Sequence, residues 1–218
     1  MILRQLAIIS LIFFSLKKVN GQATAEHLNT LIKSYINEMN TNGVDTFCIY
    51  QDYCVGCDYK WNKAEDKCGY EGLYIPTYIF WLKEGQTFMT KKDNCFDYSI
   101  ITVENDSLWQ FFFSNQDTIV KQEIKMPQYI EVKNGKEQVY SVNIDHSVHE
   151  GIQIILRQDT LINKDLNEFY FCKEVEFGQQ QNINYEYNIK SPLKEFQLLI
   201  ARTITTATQQ QKLQKSRR

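Results

Sequence analysis

Near the start of the chain, apolar side chains recur at three- and four-residue intervals. Leu28, Leu31, Ile32, Tyr35, Ile36 and Met39 share one face, and the spacing predicts a helix over residues 24–40. Thr24 can cap its start, and Asn42-Gly43 supplies a stop. The pattern then becomes β-like. Val44 to Tyr50 reads as a short strand, and Tyr78–Lys83 and Gln86–Lys92 read as two strands joined at Glu84-Gly85. The unbroken apolar run from Tyr78 to Leu82 predicts a central strand covered on both faces.

Further strands are expected at 98–103, 108–113, 118–124, 129–133 and 137–144. Polar turns separate them at Glu104-Asn105-Asp106, Asn115-Gln116-Asp117 and Asn134-Gly135. Asn-Gly is the strongest hairpin signal of these, because a type I′ turn needs positive φ at both central residues. Ile152, Ile154 and Leu156 alternate with polar neighbours; Asp145 to Glu150 ahead of them reads as a polar turn. Phe169–Val175, carrying Cys172, reads as a strand, as does the alternation of Tyr185, Tyr187 and Ile189. Ser191-Pro192 looks like an N-cap followed by proline in the first helical position, with Leu193, Phe196, Leu199 and Ile200 as the buried face; the β-branched run from Thr203 to Thr206 weakens that helix. The sum is an α+β fold: a mostly antiparallel β-sheet with an N-terminal and a C-terminal helix.

The first residues do not fit that domain. Arg4, the apolar run Leu6–Leu16, Lys17-Lys18 and the small residues Val19 and Gly21 have the pattern of a signal peptide over 1–21, with cleavage after Gly21 or alternatively Ala23. The run is about eleven residues, short of the roughly 18–20 that span a bilayer, so no stable membrane insertion is expected after cleavage. Residues 22–208 are expected to form a single domain, and 209–218 a disordered basic tail. Removing Arg4, Lys17 and Lys18 from 24 basic residues leaves 21 against 26 acidic ones. That acidic balance argues against a nucleic-acid partner, which needs a clustered basic face.

Cysteine content sharpens the picture. Cys48, Cys54, Cys57, Cys68, Cys95 and Cys172 form an even set behind an export signal, and four of them crowd into the segment 48–68. Structural disulfides in a secreted or periplasmic protein are the leading expectation. A second reading is redox chemistry. Cys54-Val55-Gly56-Cys57 follows a β-like segment, and Ile75-Pro76-Thr77 leads into the strand YIFWLKEG. Over about 40 residues this locally resembles the thioredoxin family. The resemblance implies a thiol–disulfide oxidoreductase with Cys54 as nucleophile, Cys57 as resolving thiol and Pro76 beside the substrate. Residues 58–75 are too few for the helix, strand and helix that the family places between these motifs. A third reading is a metal, held by Cys48, Cys54, Cys57 and Cys68 or by His146 and His149.

Nothing else in the sequence marks catalysis. It lacks a G-x-S-x-G elbow, an H-E-x-x-H helix and a Gly-rich phosphate loop. His146 or His149 could serve as a base, but no nucleophile is identifiable beside them. The expectation is therefore a non-catalytic binding protein without a cofactor. Its partner would be a protein or a saccharide, met through Tyr50, Tyr53, Tyr59, Trp61, Tyr70 and Tyr74.

Overall fold

A computed structural model describes residues 20–56, 75–93, 96–104, 107–175, 180–210 and 213–217. The chain opens with helix α1 (Asn20–Thr41), then strands β1 (Thr46–Val55), β2 (Thr77–Lys83), β3 (Gln86–Lys92), β4 (Phe96–Tyr98) and β5 (Ile101–Thr102). Helix α2 (Ser107–Lys121) leads to β6 (Gln128–Lys133), β7 (Lys136–Ser141), β8 (Ser147–Leu156) and β9 (Asp159–Asn167). A 3-10 turn (Glu168–Phe171) and the short strands β10 (Glu174–Val175) and β11 (Gln180–Gln181) follow. Helices α3 (Tyr185–Ile189) and α4 (Pro192–Gln209) and strand β12 (Lys215–Arg217) complete the described chain. The α+β class with a mostly antiparallel sheet is as the sequence implies.

The main sheet has eight strands in the order β12-β4-β3-β2-β1-β8-β9, with β5 also on β3. Every pairing in it is antiparallel. Side-chain alternation gives it two apolar faces. Phe47 and Ile49 of β1 join Ile79 and Trp81 of β2 on one face, where Leu28, Ile32 and Ile36 of α1 cover them. Cys48 and Tyr50 join Phe80, Met89, Ile152, Ile154, Ile162 and Leu166 on the other, packed under α2 and α4. The molecule is thus three layers, with one helix below the sheet and two above.

Turn chemistry fixes the hairpins. Glu84 and Gly85 have φ of 52° and 74°, and Asn134 and Gly135 have 54° and 71°. Positive φ at both central residues matches the right-handed twist of the flanking strands. Ser191 caps α4 as expected, its hydroxyl accepting a bond from the Lys194 amide at 3.1 Å. Thr203, Thr205 and Thr208 return their hydroxyls to the i−4 carbonyls, and the helix runs past them to Gln209.

Several elements differ from expectation. The segments 108–113 and 118–124 are not strands; α2 occupies most of both, burying Leu108, Trp109, Phe112 and Ile119. Helical spacing outweighs the β-propensity of the aromatic run, and Asn115-Gln116-Asp117 lies within the helix instead of turning the chain. Residues 185–189 form α3 because Asn188 is buried and bonds outward to the chain. Its amide nitrogen donates to the carbonyls of Lys125 and Tyr170, both at 2.8 Å, and its oxygen accepts from Lys125 N at 2.9 Å. Around Cys172 there is a 3-10 turn, not a strand, started by Asn167 accepting from Phe169 N. Thr24 lies inside α1, whose first residue is Asn20. The basic end is not wholly a tail, since Lys215–Arg217 pairs with Tyr98–Phe96 at the sheet edge.

Phe196 joins the helices to the sheet layer: it is fully buried and its ring centroid lies 5.5 Å from that of Phe112. Phe196→Ala should lower unfolding stability by about 3–5 kcal/mol in denaturant titration. A loss below about 1 kcal/mol would mean that α4 is not docked as described.

Candidate functional site

Of the residues expected to bind, Tyr50 and Tyr53 lie among the described residues. Tyr50 is 4% exposed in the core and is corrected from a surface residue to a buried one. Tyr53 lies near the end of β1 on the α1 face. Tyr59, Trp61, Tyr70, Tyr74, Cys57, Cys68 and Cys95 lie outside the described residues. Cys48 and Cys172 are free thiols, which corrects both from their expected place in crosslinks; Cys54 is not among the free thiols. Cys48 sits in the middle of a strand buried on both faces, where neighbouring strands carry Phe80 and Ile154 opposite it and no cysteine. Cys54 belongs to β1 rather than to a helix start, and the peptide preceding Pro76 is trans.

His146 and His149 are likewise put to separate uses. Gly56, at φ +73°, leaves room for the His146 imidazole where any side chain would collide with it. His149 is not in a turn: β8 begins at Ser147, two residues earlier. Among the described residues no group of three or more His, Cys, Asp or Glu side chains is placed to hold a metal ion.

Two polar networks stand back to back at this end of the sheet. Above it, Glu150 accepts bonds through one oxygen from Tyr50 Oη at 2.8 Å and Gln197 Nε2 at 2.7 Å. Burial raises the Glu150 pKa above the glutamate range, opposed by the Tyr50 bond and by Lys194 and assisted by Asp52 and Glu168. Burial lowers the Lys194 pKa, although Glu150 and Glu168 pull it upward; its ammonium stands 4.1 Å from the Phe171 ring centroid. Gln197 Oε1 is buried without a hydrogen bond.

Below the sheet, Ser147 Oγ lies 2.9 Å from His149 Nε2, and His149 Nδ1 lies 3.0 and 3.1 Å from the two Asp165 oxygens. Strand alternation puts Ser147 and His149 on the same face, and β9 brings Asp165 opposite Gly151 beside them. Tyr53 stacks on His149 with centroids 5.5 Å apart and planes at 20°, and its hydroxyl donates to Asp165 at 3.2 Å. Burial, then the charge and bond of Asp165, push the Tyr53 hydroxyl up to about 12.

A cleft of about 840 Å³ runs along this same face between α1 and strands β1, β8 and β9. Ile32, Ile36, Ile49 and Ile155 form its apolar floor. Seven amide side chains line it: Asn29, Asn37, Asn40, Gln51, Gln153, Gln158 and Asn163, with Lys33 as its single charge. Gln51 and Gln153 donate to Thr77 and Thr160, whereas the other five amides hold no side-chain hydrogen bond among the described residues. Gln51 and Gly151, at one end of the cleft, lie two rows from the Tyr53 and His149 pair in the sheet register, on the same face.

No protein-family model matches the chain, and no curated protein or solved structure is significantly similar to it. No helix among the described residues is long and apolar enough to cross a membrane. Sequence reasoning found His149 but not its partners. Ser147 was hidden in an assumed turn and Asp165 lies on β9, whose turn Arg157-Gln158 takes φ of 50° and 74° with neither Gly nor Asn to announce it.

Because Glu150 ionises less readily in the folded chain, its protonation favours folding. That contribution is complete below the ordinary glutamate pKa and is lost as pH rises through the raised value. Glu150→Gln keeps an oxygen for Tyr50 and Gln197 without the charge. Its melting temperature should match the native protein at about pH 4 and exceed it by a few degrees at about pH 7.5. A variant markedly less stable at neutral pH would show that the buried charge is itself favourable.

Burial also raises the thiol pKa of both Cys48 and Cys172, that of Cys172 with help from Glu168. Alkylation of the native protein followed by peptide mapping should label Cys172, which is partly exposed, and reach Cys48 only after denaturation. Native labelling of Cys48 would contradict the described packing.

Proposed function

We propose that this is an exported, disulfide-stabilised binding protein whose cleft between α1 and the β1-β8-β9 face takes a neutral saccharide chain. The lining amides carry the reading. A primary amide both donates and accepts, as a sugar hydroxyl does, and the lining includes no carboxylate to select a cation. The strand backbones below the cleft are already paired within the sheet, so side chains must supply the hydrogen bonds. The cleft volume of about 840 Å³ falls in the roughly 300–1,000 Å³ range typical of small-ligand sites. Export follows from the leader-like residues 1–21, and the crosslinks fall to Cys54, Cys57, Cys68 and Cys95, an even set once the free thiols are removed.

Titration calorimetry against neutral oligosaccharides should show binding that changes little between low and high salt, since no ion pair is involved. Asn37→Trp, at an exposed helix position lining the cleft, should weaken it at least about tenfold with the melting temperature unchanged. Undiminished binding by that variant would place the ligand elsewhere. Binding of extended peptides in preference to saccharides would replace the ligand class.

A further inference from the structure

We infer that Ser147, His149 and Asp165 form an ester-cleaving centre at one end of the cleft. The bonds run in the order that serine acyl transfer needs. The Asp165 carboxylate oxygens can only accept, so the hydrogen on His149 lies on Nδ1 and points at them. That tautomer leaves a lone pair on Nε2, 2.9 Å from Ser147 Oγ. Tyr53 is a positioning residue here: its ring holds the imidazole by stacking and its hydroxyl holds Asp165. His149 retains 18% side-chain exposure and Asp165 55%, while Ser147 itself is buried at 8%. Ser147 opens β8 opposite Val55, which is itself exposed at the end of β1.

In the reaction, Ser147 Oγ bonds to the ester carbonyl carbon while its proton passes to His149 Nε2. The carbon–oxygen bond to the alcohol breaks, and the alcohol departs with that proton, leaving an acyl ester on Ser147. Water then attacks the same carbon and yields a proton to Nε2. Ser147 Oγ leaves, recovers that proton, and a carboxylic acid is released. Neither oxidant nor cofactor enters the balance. The substrate class, an O-acylated saccharide, rests on the cleft reading above; the chemistry of the three residues does not.

A fluorophosphonate probe on the full chain, with the adduct mapped by mass spectrometry, tests the centre without any saccharide. The expected result is one covalent adduct on Ser147, none on Ser147→Ala, and labelling slowed at least about 10²-fold in His149→Gln. Saccharide binding by the native protein is measured separately, by calorimetry. Labelling without any saccharide affinity would therefore sink the ligand class and leave the centre standing. Folded native protein that gives no adduct, or Ser147→Ala that labels equally, would reduce the three residues to a network tying β8 to β9. Native-rate labelling by His149→Gln would do the same.

Discussion

Helix cover runs out before the central strand does, and both polar networks follow from that. Over Phe47 to Tyr50, β1 is buried on both faces, between α1 below and the α2–α4 pair above. From Gln51 to Val55 the strand continues with partly exposed side chains alternating toward each side, Cys54 alone being buried. β8 accompanies it through the full register from Thr46↔Leu156 to Val55↔Ser147. A paired ribbon that outlasts its apolar cover must present polar side chains on both faces, and they must satisfy one another or water.

Glu150 and His149 show how closely the two sides are coupled. They are adjacent in sequence, so strand alternation sends them to opposite faces. Glu150 is drawn under α4, where Tyr50 and Gln197 take one of its oxygens and Lys194 supplies a nearby positive charge. That anchorage fixes the backbone of β8 from above at the residue next to the imidazole. Below, Tyr53 does the equivalent through β1, since its register partner is His149. With Asp165 of β9, the imidazole is thereby set by three strands and one helix. A surface histidine held only by its own rotamer would carry no such constraint.

How far the sequence could reveal this depends on what kind of signal each element carries. The hairpins at Glu84-Gly85 and Asn134-Gly135 were legible because positive φ there demands recognisable residues. The outer helices were legible through their apolar spacing, and α4 also through its Ser191 cap. α2 was not, because Leu108, Trp109, Phe111, Phe112 and Phe113 suit a strand as well as a helix locally, and only packing against α4 decides. The Glu150 and His149 networks were less legible still. Asp165 and Gln197 reach them from 16 and 47 residues away, a distance closed only by the β8–β9 turn and by the return of α4 over the sheet. That turn uses Arg157 and Gln158 at positive φ, a choice that local turn chemistry would not suggest.

The burial of Cys48 bears on how the chain holds itself together. Its register neighbours Phe80 and Ile154 are fully buried, so the thiol behaves as a small apolar group and needs no crosslink to be stable there. Two apolar clusters back onto each other across the sheet, one from Leu28 of α1 to Phe47, the other from Phe80 to Phe196 of α4. Crosslinks would therefore matter most where apolar side chains are few, in the cysteine- and tyrosine-rich stretch that follows β1. The core fixes where β1 ends, and β1 in turn fixes where the cleft, the imidazole and the serine lie relative to one another. The spacing of those side chains at the rim is then a property of the sheet's geometry.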